Sequence, residues 1–176
     1  MTVKPPSGDF ETLLSRIESP ALSAVAQLWD VARGRKRMPC WNDIPFSALP
    51  PYRKHLWAYT YDPKSGVFTG HLAGQMWGRW AGVEFYGKRL EDVHSPANYA
   101  AAYRLLTEVA TTPLASRSSG RIFKSDDYIV TGERIILPIA EDGQTAGGVL
   151  GASDYVPPPL MGTLQLILEN AEQYAI

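Results

Sequence analysis

Apolar residues recur at helical spacing in three long stretches of the chain. The first follows Ser19-Pro20, a pair typical of an N-cap with proline in the first turn, and continues until a glycine ends it. The second is the strongest, with apolar residues at i, i+3, i+4 and i+7 from Tyr99 to Val109. The third, from Leu160 to Ala171, predicts a C-terminal helix. A further short helix is expected after Asp9, whose carboxylate suits an N-cap.

Five other stretches alternate apolar and polar residues, or form short apolar runs rich in β-branched and aromatic types, which predicts strands. The first two flank the turn Asp62–Gly66 and form a hairpin, and the last two are joined by the turn Glu141–Gln144. With two strands before the long helix and three after it, the pattern indicates an α+β fold. We expect a five-stranded antiparallel sheet with helices on one face, and flanking helices at its N and C termini. The predicted strands cover residues 55–61, 67–73, 114–123, 128–140 and 145–155.

Proline and glycine divide the chain into three segments. Residues 1–18 are expected to form an N-terminal arm with a short helix, residues 19–155 one domain, and residues 156–176 a proline-rich spacer and the C-terminal helix. Within the domain, residues 38–51 hold four prolines beside several large apolar residues, which favours an ordered, packed connector. Residues 74–87 are punctuated by glycine and tryptophan and are expected to form one or two short helices.

Composition excludes several classes of protein. The net charge is −1, so there is no global electrostatic attraction to nucleic acid or to an anionic membrane surface. The single cysteine, Cys40, cannot form an intramolecular disulfide. The first 25 residues lack the apolar core of a signal peptide, and no window reaches the length of a membrane span. We therefore expect a soluble, cytoplasmic protein.

The sequence holds no recognisable catalytic or metal-binding constellation. There is no G-x-S-x-G nucleophile motif, and the histidines His55, His71 and His94 are scattered without the spacing of a zinc site. The same scatter gives no pattern for haem or flavin, so we expect no catalytic residues, no metal and no cofactor. An enzyme would need a buried acid/base pair, for which His71 with Glu84 or Asp92 is the best candidate.

Aromatic residues are concentrated in one part of the chain. Eight of the chain's 19 aromatic residues lie between Trp57 and Tyr86. This density is compatible with simple core packing and equally with an aromatic-lined pocket that has a few polar groups. Arg79, Tyr103, Arg104 and Arg134 could supply the polar contacts. The candidate ligand-binding residues are Trp57, Tyr59, Phe68, His71, Trp77, Trp80, Tyr99, Tyr103 and Arg134.

Several short motifs follow one another in the order and spacing of a known family. They are Leu28-Trp29, Gly34 with Met38-Pro39, Asp43-Ile44-Pro45, Leu49-Pro50, Leu72-Ala73-Gly74, Gly82 through Gly87 to Leu90, and Ile136-Leu137-Pro138 with Asp142-Gly143. On these residues the chain resembles, over residues 22–154, the PAS-like domain family of alphaproteobacteria that was once known only as a domain of unknown function. It departs from the family pattern at His71, Gln75 and residues 83–86, where that family favours Arg, Thr and Arg-Asp-x-Thr.

The resemblance implies a PAS fold, in which a cavity lies between the five-stranded sheet and helices on one side. It also implies a stand-alone sensory or regulatory domain that binds a small molecule in the cavity, or a protein partner, without catalytic activity. An apolar helix face near a terminus suggests a homodimer through the N-terminal helix. Two alternatives stay open: a small cone-like α+β enzyme of the isomerase or cyclase type that uses His71, and a scaffold protein without a cavity.

Overall fold

The structure, a computed structural model, describes residues 6–75, 84–126, 128–156 and 164–176. Within these ranges the helices are α1 (Phe10–Arg16), α2 (Pro20–Arg33), α3 (Leu90–Val93) and α4 (Pro96–Thr111). The strands are β1 (Gly8–Asp9), β2 (Leu56–Asp62), β3 (Val67–Ala73), β4 (Leu114–Lys124), β5 (Ile129–Ala140), β6 (Ala146–Val156), β7 (Gln165–Leu166) and β8 (Ala171–Ala175). Short 3-10 turns at Trp41–Asp43, Phe46–Ala48 and Pro50–His55 carry the chain from α2 to β2.

The two N-terminal helices begin and end at residues that the sequence pattern indicates. The Asp9 carboxylate accepts a hydrogen bond from the backbone N–H of Thr12 at 2.9 Å and caps α1. Ser19 Oγ accepts one from the backbone N–H of Leu22 at the start of α2. Gly34 ends α2 with a φ of 55°, a left-handed value that glycine adopts without strain. Both predicted helices are confirmed.

The five predicted strands form the centre of one mostly antiparallel sheet. Each lies within a residue or two of its predicted bounds, as β2 to β6. The strand order is β1-β8-β4-β5-β6-β2-β3, with β7 attached to β4. Only β1 pairs in parallel, with β8, among the described strands. The α+β class and the antiparallel character of the sheet are therefore confirmed.

The predictions of five strands and of a C-terminal helix are wrong. The described residues contain eight strands, not five, and residues 164–176 form β7, a turn and β8 where a helix was expected. The outer edge of β4 offers unpaired backbone N–H and C=O groups, and β8 satisfies them, with Tyr174 opposite Ala115 and fully buried. Edge pairing and burial outweigh a modest helical pattern, because tertiary context decides the state of such short segments. The predicted proline-rich spacer falls largely on residues 157–163, outside the described residues.

The expectation of helices on one face only is also wrong. On one face, α1 and α2 cover the sheet, and Leu22, Val25 and Trp29 pack with the strands in a single apolar cluster. On the other face, α4 forms a second cluster that contains Leu105 and Val109. The physical reason lies in β5 and β6, whose nearly continuous apolar runs bury side chains on both faces, so each face needs a cover.

The apolar face of α2 is therefore occupied within the chain. Val25 and Trp29 are at most 1% exposed, and they pack on the sheet. The homodimer remains a prediction, but this helix face is not a free surface for it. The terminal segments likewise join the common sheet, because Gly8 and Asp9 of β1 pair with Tyr174 and Ala175 of β8.

The structure tests the prediction for the connector, residues 38–51, but not the one for the glycine- and tryptophan-rich segment, residues 74–87. Residues 38–51 are ordered turns that bury Met38, Ile44 and Leu49, as expected of a packed connector. The short helices predicted for residues 74–87 fall mainly on residues 76–83, outside the described residues. Among the residues that the structure does describe, no helix combines the length and apolar character needed to cross a membrane.

Substitution of Trp29 tests the packing of α2 on one face of the sheet. Its side chain is fully buried, and its Nε1–H donates to the carbonyl of Pro138 on β5 at 2.9 Å. We expect Trp29→Ala to lower the free energy of unfolding by about 3–5 kcal/mol, since it opens a cavity and removes a hydrogen bond. Val31 on the same helix is 79% exposed, so Val31→Ala should change stability by less than about 0.5 kcal/mol. Denaturant titration of the three proteins measures this, and equal losses in both variants would contradict the packing of α2.

Candidate functional site

A small cavity of about 20 Å³ lies between the sheet and α4. Its sheet side is built from β2, β4 and β5, its helix side from the buried stripe of α4, and one end from β7. A polar group faces it from the segment between α3 and α4. The lining residues are Trp57, Tyr59, His94, Ala102, Leu105, Leu106, Phe123, Arg134, Ile136 and Leu166.

Strand alternation explains why these side chains converge. Side chains two residues apart on a strand point to the same face, so Trp57 with Tyr59, and Arg134 with Ile136, all face α4. Trp57 lies opposite Gly151 of β6, and a Cβ at Gly151 would stand 2.1 Å from the indole. Glycine is therefore required there for the indole to lie against β6, a close approach of the kind that glycine in a strand predicts.

Arg134 is the most unusual residue of the cavity. Its side chain is 5% exposed, and Nη2 donates to Ser118 Oγ at a long 3.4 Å. Among the described residues, Nε has no hydrogen-bond partner and no carboxylate forms an ion pair with the guanidinium. A buried charge of this kind is costly unless it is paired. The cavity thus carries a guanidinium whose charge no described carboxylate compensates.

The neighbouring residue on β5 shows the opposite situation. Glu133, on the other face of the sheet, accepts a hydrogen bond from Arg117 Nε at 2.6 Å. It also accepts bonds from the backbone N–H groups of Glu18 and Ser19 at the start of α2. Both Glu133 and Arg117 are 6% exposed, yet each charge is compensated. The fold therefore pairs its buried charges on one face and leaves Arg134 without a described carboxylate on the other.

His94 adds a second polar group to the cavity. Burial lowers the pKa of His94 from 6.5 to about 4, and the positive charge of Arg134 contributes to the same direction. The imidazole is therefore neutral at neutral pH. A neutral imidazole can accept or donate a hydrogen bond through its two ring nitrogens, and it adds no further positive charge beside Arg134.

Tyr59 supplies a phenol in the same cavity. The side chain is fully buried, and its Oη has no hydrogen-bond partner among the described residues. Burial raises the pKa of Tyr59 well above its usual value, so the phenol keeps its proton and can donate. Trp57 differs, because its Nε1–H already donates to Ser153 Oγ at 2.9 Å. Buried polar atoms of native proteins are nearly always satisfied, so the Tyr59 hydroxyl indicates room for a further partner.

The structure separates the sequence-predicted residues into four groups, the last of which is His71 alone. Trp57, Tyr59 and Arg134 line the cavity together. Phe68, Tyr99 and Tyr103 belong to the same apolar cluster but do not line it. The ring of Phe68 lies 5.9 Å from that of Tyr103, whose hydroxyl donates to the carbonyl of Gly66 in the β2–β3 turn. Trp77 and Trp80, like Arg79, lie outside the described residues.

His71 lies away from the cavity. It is exposed, and its ring centroid is 4.6 Å from that of Trp41. It borders a separate groove of about 350 Å³ that Phe46, Leu49 and Arg53 also line. Among the described residues no carboxylate forms an ion pair with His71, so the acid/base pair proposed with Glu84 or Asp92 is not formed. His71 therefore does not line the cavity between the sheet and α4, and a role for it in ligand binding stays a prediction.

Sequence reasoning missed several cavity residues. His94 was noted only as one of three scattered histidines, and Phe123 and Leu166 lie on strands whose pairing is not local in sequence. The periodicity of α4 did indicate Ala102 and Leu106 as inward-facing positions. The shared parity of Arg134 and the apolar Ile136 on β5 was the one signal that could have placed the guanidinium on the α4 side.

Other chemistry is sparse in the described part of the chain. No group of three or more His, Cys, Asp or Glu side chains there could hold a metal ion. Cys40 is free and partly buried, and burial raises the pKa of its thiol, which makes it a poor nucleophile. Arg104, another of the polar candidates, borders a separate pocket of about 170 Å³ with Glu108 and Gln173 near β8.

His94 gives the cavity a pH signature. Unfolded His94 takes up a proton near pH 6.5, whereas folded His94 resists protonation down to about pH 4. Stability should therefore fall as the pH drops from 6.5 to 4, and His94 should account for roughly 2–3 kcal/mol of that fall. Denaturant titrations across this window are expected to show a shallower decline for His94→Gln. The exposed His71 provides the control, because His71→Gln should follow the wild type. Parallel curves for wild type and His94→Gln would contradict the burial of this imidazole.

Comparison of the chain with models of known protein families and with curated proteins finds no match. Membership of the PAS-like family accordingly stays a prediction from the sequence motifs. The cavity between the sheet and α4, with its guanidinium and phenol, is the feature on which a functional assignment depends.

Proposed function

We propose that this chain is a sensory or regulatory domain that binds a small molecule between its sheet and α4, without catalytic chemistry of its own. The observation that supports this most is the convergence of Arg134, Tyr59 and His94 in a cavity whose other walls are apolar. Apolar walls with a few convergent polar groups are the usual make-up of a small-molecule site. Its position between sheet and helix is also where the resemblance to PAS-like domains implies a ligand cavity.

The cavity is so small that binding of a ligand would have to change the structure around it. A volume of about 20 Å³ holds roughly one water molecule, so an organic ligand must displace part of a wall. The shortest wall is β7, whose two residues pair with β4. Asn98 of α4 donates to the carbonyl of Leu164, just before β7, and accepts from the backbone N–H of Leu166. A ligand that binds the expanded state shifts the population towards it, and this moves β7 or α4. Such a movement at the surface is a signal that a partner can read.

The polar groups of the cavity suit binding better than catalysis. Arg134 and the protonated Tyr59 are hydrogen-bond donors at neutral pH, and the low pKa of His94 makes it a weak base. General base catalysis is most effective when the pKa of the base lies near the working pH. A binding role therefore accounts for these groups with fewer requirements than the enzyme alternative does.

Filling the cavity tests the proposal. Ala102 lines it from α4, whereas Ala100 on the same helix is exposed. We expect native mass spectrometry of the gently purified wild type to show a bound small molecule that is released on denaturation. Ala102→Leu should lose that molecule because its side chain occupies the site, although overpacking will also lower stability by about 1–3 kcal/mol.

Ala100→Leu is the matched control, since it adds the same side chain outside the cavity. It should retain the ligand, and thermal melts should show that all three proteins fold. Two results would count against the proposal: a wild type without any bound molecule, or equal retention in Ala102→Leu.

A further inference from the structure

We infer that the molecule bound in this cavity carries a carboxylate, and that Arg134 pairs with it. The inference rests on the proposed function and adds the chemical class of the ligand. Three charged residues are buried in the described part of the chain, namely Arg117, Glu133 and Arg134. The first two neutralise each other at 2.6 Å, which leaves one buried positive charge.

The chain offers almost no internal alternative. No described carboxylate forms an ion pair with Arg134. Outside the described ranges, the sequence contains a single acidic residue, Asp127. An unpaired buried cation is strongly unfavourable, and the usual remedy is an opposite charge with good hydrogen-bond geometry. An anionic ligand provides that remedy, whereas a neutral ligand does not.

The geometry of the guanidinium favours a carboxylate. Nε and Nη2 lie on the same edge of the guanidinium plane, the edge that binds both oxygens of a carboxylate. Nε lacks a hydrogen-bond partner in the described part of the chain, and the contact of Nη2 to Ser118 is a long 3.4 Å. The Tyr59 hydroxyl supplies one more donor in the same cavity. A phosphate carries more charge than one guanidinium balances, and no second cation lines the described walls.

The apolar walls of the cavity indicate that the rest of the ligand is apolar. Trp57, Phe123 and Ile136 face the cavity from the sheet, and Leu105 and Leu106 face it from α4. Apolar and aromatic walls stabilise an apolar body by excluding water from it. The ligand class is therefore a monocarboxylate with an apolar body, of which benzoate is a small aromatic example.

The test uses acetate and benzoate as probes, each beside its neutral amide, acetamide or benzamide, with phenyl phosphate as a further arm. The ¹H–¹⁵N spectrum of the full chain reports the Arg134 Nε–H signal directly, and its loss in Arg134→Met assigns it. We expect benzoate to shift this signal saturably and to bind at least about tenfold more tightly than benzamide, because charge-assisted hydrogen bonds are the stronger ones. Acetate should produce the same shift more weakly, since it has little apolar body.

Variants separate binding from folding. Arg134→Met should fold, with a Tm equal to or above that of the ligand-free wild type, and should lose the preference for carboxylate over amide. Arg117→Met, which strands Glu133, should lower the Tm instead. Asp127→Asn should leave the affinity for benzoate unchanged if Arg134 has no partner within the chain.

Several results would overturn the inference. They are equal binding of acid and amide, a preference for carboxylate that persists in Arg134→Met, tighter binding of phenyl phosphate, or a gain in benzoate affinity in Asp127→Asn. Native mass spectrometry distinguishes failure of the carboxylate inference from failure of the proposed function. If the wild type binds a neutral molecule that Ala102→Leu lacks, the proposed binding function holds and the inference of a carboxylate ligand fails. If no molecule co-purifies and none of the probes binds, both fail.

Discussion

The alternation of β5 between two buried faces is the constraint on which the rest of the structure depends. Because both faces of β5 and β6 are apolar, the sheet must be covered by α1 and α2 on one side and by α4 on the other. The same alternation sends two adjacent charged residues, Glu133 and Arg134, into opposite interiors. One charge then serves to hold the fold together, and the other is placed in the cavity.

The Glu133 side of β5 organises the N-terminal half of the chain. Its carboxylate receives the backbone N–H groups at the start of α2 and the guanidinium of Arg117 on β4. Arg117 also reaches Glu172 on β8, 3.5 Å away, and Glu18 at 3.2 Å. One buried carboxylate therefore fixes a helix end to two strands. Removing either partner of the buried pair would leave an uncompensated charge, so this network ties the start of α2 to β4 and β5.

Local sequence signals predicted the elements well, and non-local pairing limited the rest. Caps at Asp9 and Ser19 and the alternation of the five central strands are properties of neighbouring residues, so the helices and strands could be read directly. The strand state of residues 171–175 depends on the free edge of β4, which no local pattern reveals. Prediction of the site had the same limit. Strand alternation places Trp57, Tyr59 and Arg134 on one face of the sheet, whereas His71 lies outside the cavity and His94 reaches it through tertiary packing.

The contact between Trp57 and Gly151 carries a consequence for how this sequence can change over evolution. The indole occupies the space that any side chain at position 151 would need, since a Cβ there would lie 2.1 Å from the ring. A larger residue at 151 is accessible only after position 57 has become smaller, a first step that leaves a void beside Ser153. The reverse order is blocked by overlap with the indole. Relatives of this protein should therefore vary the two positions together, and the order of such paired changes in a lineage is set by steric exclusion.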